Sequence, residues 1–562
     1  MVKKSLLLDL LIGCSIALFV SLGMFSIANA WFHTPSDRIF TGVWGRSDDY
    51  VGYTSMIKGG MYGRNTMVLR SLKDNQGPSS LHIIYVWIGK VFGPFSIEAP
   101  QAYHLARAVF GTTFAIFSFL LYFFLFKNKL VAFLATLIAF TQGPWGWWTW
   151  ASGKIQPNLS TYTLIDAPVT RAATRPHYTL GASIFLLLII ILLKKEKTTP
   201  LLAALSILLA VLLTWVHIAS TVVLLLTCTF YGLYKVVGGR KNLDRTFRSI
   251  LSSPLPWMVG GSIIGGIINQ WSMGQHPDID YYPAISPGLK ALGIFSLQSF
   301  NFIDWKAIPG EIFSFGPSLW LATMGFLWLI FDKKIKNRGK NVLMFFWLVA
   351  QLGAYFFLSP LLLAEKARFV QTLFFIPMAY GTVLLFWLLG QKFGRWVLPA
   401  SSIVLILFFL PQYAYTFNQS ITNVTDLKNF SVFLFPTRGQ KQAYDFLDSH
   451  TPRESRVLAA YEAANHIMLY THNYVWGNPH MWMEPKASEM TSGRDTILLG
   501  TLSEKDALEY LKNNHIDYIY YGYQEQSFGG NLAKYSFLKP VFSNKEVTIY
   551  KVEPTPPSSS PS

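Results

Sequence analysis

Long apolar stretches recur along this chain of 562 residues and constrain its fold more than any other feature. A helix of roughly 20 mostly apolar residues crosses a bilayer, because it rises about 1.5 Å per residue through a hydrocarbon core of about 30 Å. Such runs fall at 6–31, 101–126, 130–150, 177–193, 200–217, 218–236, 249–270, 317–331, 342–358, 369–390 and 396–415. The sequence therefore predicts an α-helical polytopic membrane protein with about 11 transmembrane helices.

Two of these runs pose a choice of boundary. The stretch 200–236 divides at Trp215 and His217, where a turn is expected because amphipathic rings favour the membrane interface. The chain opens with two lysines before apolar residues, as a signal peptide does. The run 6–31 is longer than the apolar region of a signal peptide, so we expect an uncleaved first helix.

Basic residues are concentrated in alternate connections between the runs. With the N-terminus in the cytoplasm, every short basic connection falls on the cytoplasmic side, as the positive-inside rule requires. These connections contain Lys127 and Lys129, Lys194 to Lys197, Arg240 to Arg248, Lys333 to Lys340, and Lys392 with Arg395. We therefore expect an inner (plasma) membrane protein whose C-terminal region is outside the cytoplasm, and we attribute the formal charge of +17 to topology and lipid contact, not to nucleic acid.

The long connections then lie outside the cytoplasm. The largest is the first outer loop at 32–100, and others cover 151–176, 271–316 and 359–368. The prediction is a transmembrane domain at 1–415, a soluble extracytoplasmic domain at 416–552 and a disordered tail at 553–562. The two cysteines, Cys14 and Cys228, fall inside apolar runs and support neither a disulfide framework nor a cysteine metal site.

Charges become frequent after about residue 436, and apolar stretches shorten to strand length. Helical spacing predicts a helix over 437–450, and a sequence like a capping box at 503–506 predicts the start of another. Strands are expected at 456–460, 516–521 and 547–552. Alternating helices and strands favour a small α/β layer domain.

A pair of carboxylates, Asp48 and Asp49, follows the first apolar run. At a water-membrane interface such a pair can accept a proton from an attacking hydroxyl, or hold a divalent metal ion. The commoner fate of an isolated Asp-Asp is a solvated loop turn. The neighbouring sequence favours a functional role for the pair.

The order of short motifs around this pair resembles the GT-C superfamily of polytopic glycosyltransferases, which includes protein O-mannosyltransferases and aminoarabinose transferases. In the transmembrane domain the motifs are Asp48-Asp49-Tyr50-x-x-Tyr53, Ile57-Lys58-x-Gly60, Gly77-Pro78-Ser79, His104-Leu-Ala-Arg107 and Thr174-Arg175-Pro176-His177-Tyr178. In the C-terminal domain they are Val457-Leu-Ala, Trp476-Gly477-Asn478, Ile516-Asp-Tyr-Ile-Tyr and Val547-Thr-Ile-Tyr550. Many members of the superfamily carry His-Pro-Pro where this chain has Gly77-Pro78-Ser79.

The resemblance implies transfer of a sugar from a polyprenyl-phosphate-linked donor to an extracytoplasmic acceptor, which is a lipid, a glycan or a protein. It implies Asp48 and Asp49 as catalytic residues or ligands of a divalent metal. Cations in outer loops would bind the donor phosphate through charge-assisted bonds. The candidates are Arg175 and Arg368, with Lys366, Arg171, Arg107 and Lys58 in reserve, and the candidates for acceptor binding are Asp278, Asp280 and Tyr281.

Each cation also has an ordinary alternative, since basic residues near helix ends extend to lipid headgroups. Two other function classes stay open at this point. A transporter would carry charges at mid-membrane depth and an internal repeat, and neither is evident. A non-catalytic protein that displays its tail as a binding domain would keep the same layout. Within the superfamily, the lack of a Trp-Trp-Asp segment in the tail argues against an oligosaccharyltransferase.

Overall fold

The computed structural model describes most of the chain. The described residues are 2–44, 47–68, 70–71, 82–143, 149–151, 154–156, 168–194, 197–274, 312, 315–331, 338–359, 367–370, 372–425, 433–477 and 486–553.

Helices account for most of the described chain. In order they are α1 Val2–Phe32, α2 Ser47–Met61, α3 Ile83–Phe92, α4 Ala99–Phe126, α5 Lys129–Thr141, α6 Pro176–Lys194, α7 Pro200–Val216, α8 Ile218–Gly238, α9 Leu243–Leu251, α10 Leu255–Gly274, α11 Pro317–Phe331, α12 Arg338–Gly353, α13 Ala367–Val370, α14 Phe375–Phe393, α15 Val397–Thr425, α16 Arg438–His450, α17 Tyr461–Tyr470, α18 Lys486–Leu498, α19 Glu504–Asn513 and α20 Tyr523–Gln526. A π-helical turn, Ala354–Leu358, continues α12.

Six helices of the described chain are long and apolar enough to cross a membrane: Leu6–Phe32, Ala99–Phe126, Pro176–Lys194, Ile218–Gly238, Gly339–Leu358 and Val397–Thr422. A bent pair, Arg240–Leu251 with Leu255–Ser272, brings the number to 7 if it forms one span. Shorter apolar helices occur at Ile83–Phe95, Lys129–Thr141, Pro200–Val216 and Pro317–Leu329. This is the architecture of an integral membrane protein. Each of the predicted runs overlaps a helix, and the count of eleven stays a prediction.

Two boundaries show how local sequence divides the apolar runs. His217 has an extended backbone between α7 and α8, which confirms the predicted turn. In the run predicted at 130–150 the helix ends at Thr141, because Gln142 adopts an extended conformation, and residues 149–151 form a strand in place of the predicted helix. Gly143 and Pro144 follow Gln142, and a proline disfavours helix in the residue before it. That strand, β1 (Thr149–Ala151), pairs antiparallel with β2 (Lys154–Gln156).

Contacts divide the chain into two units. The first comprises residues 1–26, 106–270 and 284–422, and the second comprises residues 27–105, 271–283 and 423–562. The predicted domain boundaries at 415 and 552 stay predictions.

The second unit contains a sheet of five strands. They are β3 Arg456–Leu458, β4 Tyr474–Trp476, β5 Tyr518–Tyr521, β6 Leu538–Ser543 and β7 Thr548–Val552, in the order β4-β3-β5-β7-β6. β4, β3 and β5 are parallel, whereas β7 and β6 run antiparallel to their neighbours. The strands predicted near 456, 516 and 547 are confirmed, and so is the α/β character of this region.

The helices beside this sheet begin where the sequence predicts. Thr437 and Gln440 form a capping box at the start of α16. The Ser503 hydroxyl accepts a hydrogen bond from the Asp506 amide at the start of α19. Apolar side chains of the sheet and its helices then form one buried core, which includes Leu458, Ile497, Leu498, Ala507, Leu511, Ile519 and Phe537.

Candidate active site

Asp48 and Asp49 lie in the first turn of α2, in the second unit. Carboxylates are favoured there, because the unpaired N–H groups at a helix N-terminus carry partial positive charge. Asp49 is buried, with 9% of its surface exposed. A buried carboxylate is not a solvated loop turn, so its place in the fold favours a specific role.

An aromatic cluster fixes the position of this turn. The Tyr50 hydroxyl donates to the carbonyl of Thr41 at 3.2 Å, and His104 Nε2 lies 2.7 Å from the carbonyl of Gly42. The Tyr50 ring stacks on His104 with centroids 5.8 Å apart, and it meets the ring of Tyr103 at 5.0 Å. These three rings are buried. Contacts to both the ring and the hydroxyl of Tyr50 therefore fix this residue, which lies next to Asp49.

Two glycines bring α2 and α3 into close contact. A Cβ on Gly60 would collide with the carbonyl of Val86, and a Cβ on Gly89 would collide with the carbonyl of Ile57. Tyr53 of α2 also stacks on Tyr85 of α3, with centroids 4.3 Å apart. The helix α2, which carries the carboxylate pair, is therefore packed tightly against α3.

The other end of α2 is bound to Asp448 of α16, also in the second unit. Lys58 Nζ lies 3.2 Å from Asp448 Oδ2, the Tyr62 hydroxyl lies 2.6 Å from Oδ1, and His472 Nδ1 lies 3.2 Å from Oδ1. Burial would raise the pKa of Asp448, but the hydrogen bond to His472 and the charge of Lys58 lower it to about 2. Burial lowers the pKa of Lys58. Lys58, a reserve candidate for phosphate, is paired with this carboxylate.

Two more reserve candidates, Arg107 and Arg171, lie fully buried in the first unit. Arg107 Nε donates to the carbonyl of Ala173 at 2.8 Å. Arg171 donates to the carbonyls of Ala139 and Gln142 at 2.5 and 2.9 Å. These bonds satisfy main-chain carbonyls at helix ends and beside them, so both arginines hold the segment 168–173 against its neighbours.

The leading candidates, Arg175 and Arg368, are brought toward one cleft of the first unit. Its lining consists of Tyr178, His217, Ala219, Ser220, Val223, Gln351, Arg368, Phe369, Thr372 and Leu373. Arg368 is exposed, and its charge acts on His217. Arg175 is buried and donates from Nη1 to the Tyr178 hydroxyl at 3.2 Å. Tyr178 therefore links one predicted arginine to the cleft that contains the other.

Polar side chains form part of the cleft wall, among them Tyr178, His217, Ser220 and Gln351. The rings of Tyr178 and His217 lie 4.9 Å apart, and His217 Nδ1 lies 2.6 Å from the Ser220 hydroxyl. Gln351 is buried within α12, and its Oε1 has no hydrogen-bond partner among the described residues. A buried acceptor without a donor is costly, so a ligand hydroxyl or a water would stabilise it.

Gln351 is not among the residues predicted from the sequence, and His217 is predicted only as part of a turn. The signal was available, since a polar residue inside an apolar span is expensive and marks a functional position. Lys366, Asp278, Asp280 and Tyr281 lie outside the described residues, as does the side chain of Asp48.

A metal site at the carboxylate pair cannot be assembled from described side chains alone, since the side chain of Asp48 lies outside them. No group of three or more His, Cys, Asp or Glu side chains in the described part of the chain is placed to hold an ion. Metal binding by Asp48 and Asp49 stays a prediction, and the proposed chemistry is written without a divalent ion.

No protein-family model matches the chain, and no curated protein matches it. Among solved structures it is similar to the Archaeoglobus fulgidus oligosaccharyltransferase in complex with Zn and sulfate, at 14% identity and TM-score 0.47, over 96% of this chain and 73% of that one. It is similar to AglB from the same organism in complex with an inhibitory peptide and a dolichol-phosphate, at 13% identity and TM-score 0.44, over 95% and 74%. It is also similar to ArnT from Cupriavidus metallidurans bound to undecaprenyl phosphate, at 10% identity and TM-score 0.48, over 96% and 98%. A TM-score below 0.5 is a partial likeness, so the function must be argued from the chain's own residues.

Proposed function

We propose that this chain is a membrane glycosyltransferase that moves a sugar from a polyprenyl-phosphate-linked donor to an acceptor outside the cytoplasm. The observation that carries the proposal is the cleft of the first unit, in which the exposed guanidinium of Arg368 lies with His217, Tyr178 and Gln351. A guanidinium that lines a cleft can bind an anionic group that enters it. A lipid-linked phosphate brings such an anion to the membrane surface.

Arg368 is assigned to the donor phosphate. A guanidinium binds phosphate oxygens through paired N–H donors, and these bonds are stronger than those between neutral groups. As the bond between the sugar and the phosphate breaks, negative charge grows on the leaving phosphate, and a fixed cation lowers the barrier. Arg175 supports this role indirectly, because it donates to the Tyr178 hydroxyl that lines the cleft. Arg107, Arg171 and Lys58 are left out, since Arg107 and Arg171 donate to main-chain carbonyls and Lys58 pairs with Asp448.

We assign Gln351 to hydrogen bonding with the sugar or with the bond between the sugar and the phosphate. Its buried Oε1 accepts no hydrogen bond from the described residues, and a sugar offers many hydroxyl donors. A site that bonds a substrate hydroxyl discriminates against substrates that lack it, because its own polar atom is then left unpaired.

Asp48 and Asp49 are assigned to the acceptor. A carboxylate accepts the proton of the attacking hydroxyl or amine while the nucleophile forms its bond to the anomeric carbon. The bond from that carbon to the phosphate oxygen breaks, and the phosphate leaves on its lipid. A buried Asp49 beside a fixed Tyr50 supports a preorganised base.

The remaining elements of the proposal come from the sequence. We propose that the N-terminus is cytoplasmic and that the C-terminal domain at 416–552 is extracytoplasmic. We also propose that the acceptor is contacted by Asp278, Asp280 and Tyr281. A divalent ion on Asp48 and Asp49 belongs to it only as an alternative role for that pair. Dialysis against EDTA separates the two roles, because an ion-dependent enzyme loses turnover and regains it with added metal.

The test uses purified protein in nanodiscs with a panel of polyprenyl-phosphate sugars, and it measures released polyprenyl phosphate. Wild type should consume at least one donor, and Asp49→Asn should lose about 100-fold or more in turnover. Asp445→Asn, an exposed carboxylate change, is the matched control and should retain activity. Should wild type consume no donor on the panel, the chain is not this enzyme, and display of a binding domain becomes the better reading.

A further inference from the structure

We infer that α9, with the turn before it, is an in-plane anchor that binds the anionic phospholipid surface. The helix covers Leu243–Leu251, and Arg240 and Lys241 precede it in a 3-10 turn that ends at Asn242. The proposed transfer chemistry assigns no role to this segment, and the inference stands independently of that chemistry.

The apolar residues of α9 lie on one side. At about 100° per residue, Leu243, Phe247, Ile250 and Leu251 fall within an arc of roughly 100°. Three of these side chains are well exposed, Leu243 at 47%, Phe247 at 50% and Leu251 at 64%. Contacts within the described chain thus leave most of this apolar stripe uncovered, although such a stripe favours burial.

The opposite side is basic. Arg245 and Arg248 are exposed there, and Arg240 and Lys241 are exposed just before the helix. The one acidic residue of the segment, Asp244, pairs with Arg248 at 3.0 Å, with both side chains largely in solvent. Four basic residues against one acidic residue leave the segment cationic. A basic side opposite an apolar stripe is the composition of a helix that lies in the membrane surface.

The position of α9 in the fold fits this orientation. The helix over Arg240–Leu251 is bent by 57° from the helix over Leu255–Ser272, which turns it away from that neighbour's axis. It follows α8, a helix long and apolar enough to span the membrane. Trp257 near the start of α10 is 42% exposed, and tryptophan favours the interface between lipid and water. Both neighbours therefore bring α9 to the membrane surface.

Hydrogen bonds within the segment itself stabilise the start of the helix. The Asn242 side chain accepts from the Arg245 amide at 3.2 Å and caps the first turn. The Thr246 hydroxyl donates to the carbonyl of Asn242 at 3.0 Å. A preformed helix binds a surface at low cost, because its backbone is already ordered. The predicted orientation places it at the cytoplasmic leaflet, where anionic lipids attract basic segments.

The test places single labels on opposite sides of α9 in full-length protein. Phe247→Cys and Ser249→Cys, each in a Cys14→Ser background with the buried Cys228 retained, carry an environment-sensitive dye. The protein is reconstituted in nanodiscs of phosphatidylcholine, with or without phosphatidylglycerol. We expect quenching of the label at 247 by shallow spin-labelled lipid and quenching of the label at 249 by aqueous iodide.

Charge is tested by changing Arg240, Lys241, Arg245 and Arg248 together to glutamine, with Lys392→Gln and Arg395→Gln as the matched control. Phosphatidylglycerol should raise the lipid quenching at 247 in wild type and in the control, and the fourfold variant should lose that increase. Equal iodide access at 247 and 249 in phosphatidylglycerol nanodiscs would overturn the inference. Protection of 247 that is the same in detergent and in nanodiscs would also overturn it, because a protein surface, not lipid, would then cover the stripe.

Discussion

Tyr62 donates a hydrogen bond to Asp448 at 2.6 Å and so joins two segments that lie 386 residues apart in the chain. Lys58 and His472 bind the same carboxylate at 3.2 Å. α2 carries Asp48 and Asp49 in its first turn, and its far end is held by this carboxylate through Lys58. The position of the helix that carries the candidate catalytic pair therefore depends on a residue of α16.

Removal of Asp448 should loosen α2. Asp448→Ala leaves the partly buried Lys58 and Tyr62 without their shared partner, at a cost of about 3 kcal/mol. Hydrogen exchange of the amides over 56–62 should accelerate by about 100-fold or more, since 1.4 kcal/mol is a factor of ten. Asp445→Ala, one turn away and paired only at the surface, should change exchange there by less than a factor of about five.

Close packing between α2 and α3 gives a second prediction. Gly60→Ala places a methyl group against the carbonyl of Val86, and the helices must separate. We expect the free energy of unfolding of the second unit to fall by about 1 to 3 kcal/mol, and transfer activity to fall with it. Gly13→Ala is the matched control, because nothing lies within 4 Å of a Cβ at that position. Equal effects of the two changes would contradict the account of this contact.

Two buried groups of the second unit should give opposite dependences on pH. Burial raises the pKa of Glu525 to about 7, so its contribution is full below about pH 4.5 and is lost as pH rises toward 7. Burial lowers the pKa of His466 to about 4, so its contribution is full above about pH 6.5 and is lost as pH falls toward 4. In wild type the two largely offset each other between pH 4.5 and 6.5.

Glu525→Gln removes one of these opposing contributions. The carboxylate accepts from the amides of Ala460 and Gly522 at 2.6 and 3.0 Å, and it is fully buried. The variant should lose stability steadily from pH 6.5 to 4.5, by about 3 kcal/mol relative to the wild-type trend. Hydrogen exchange of the amides in β3 and β5, followed from pH 6.5 to 4.5, measures this loss of stability. A variant whose pH trend matches wild type would show that Glu525 does not titrate in this range.

Arg368 should act on donor binding and on catalysis together. Arg368→Gln removes the charge beside His217, and we expect KM for donor to rise and kcat to fall, each by about tenfold or more. Arg368→Lys should recover part of the loss, because an ammonium keeps the charge without the paired geometry. Arg395→Gln, an exposed basic residue outside the cleft, should leave both constants unchanged. A change in kcat alone would place Arg368 away from the donor in the ground state.

The sequence predicts elements well where one local rule decides. Helix caps at Thr437 and Ser503 mark real helix starts, and apolar runs mark helices because lipid demands satisfied backbones. It places Arg175 and Arg368 first among the phosphate candidates and Arg107 and Arg171 in reserve, and this order stays a prediction. Only packing shows that Arg107 and Arg171 donate to main-chain carbonyls, whereas Arg368 lines a cleft. Gln351 is a single polar residue in an apolar run, and its cost becomes visible only when its neighbours are known.

The most direct test of the central claim is a single-turnover reaction. Purified protein in nanodiscs is loaded with a radiolabelled polyprenyl-phosphate sugar, acceptor is added, and cleavage of the sugar-phosphate bond is followed by rapid quench. Wild type should cleave bound donor, and Asp49→Asn should hold the same amount of donor and cleave it at least about 100-fold more slowly. If Asp49→Asn cleaves as fast as wild type, or if loaded wild type never cleaves its donor, the assignment of this chain as a glycosyltransferase with Asp49 as a catalytic residue is wrong.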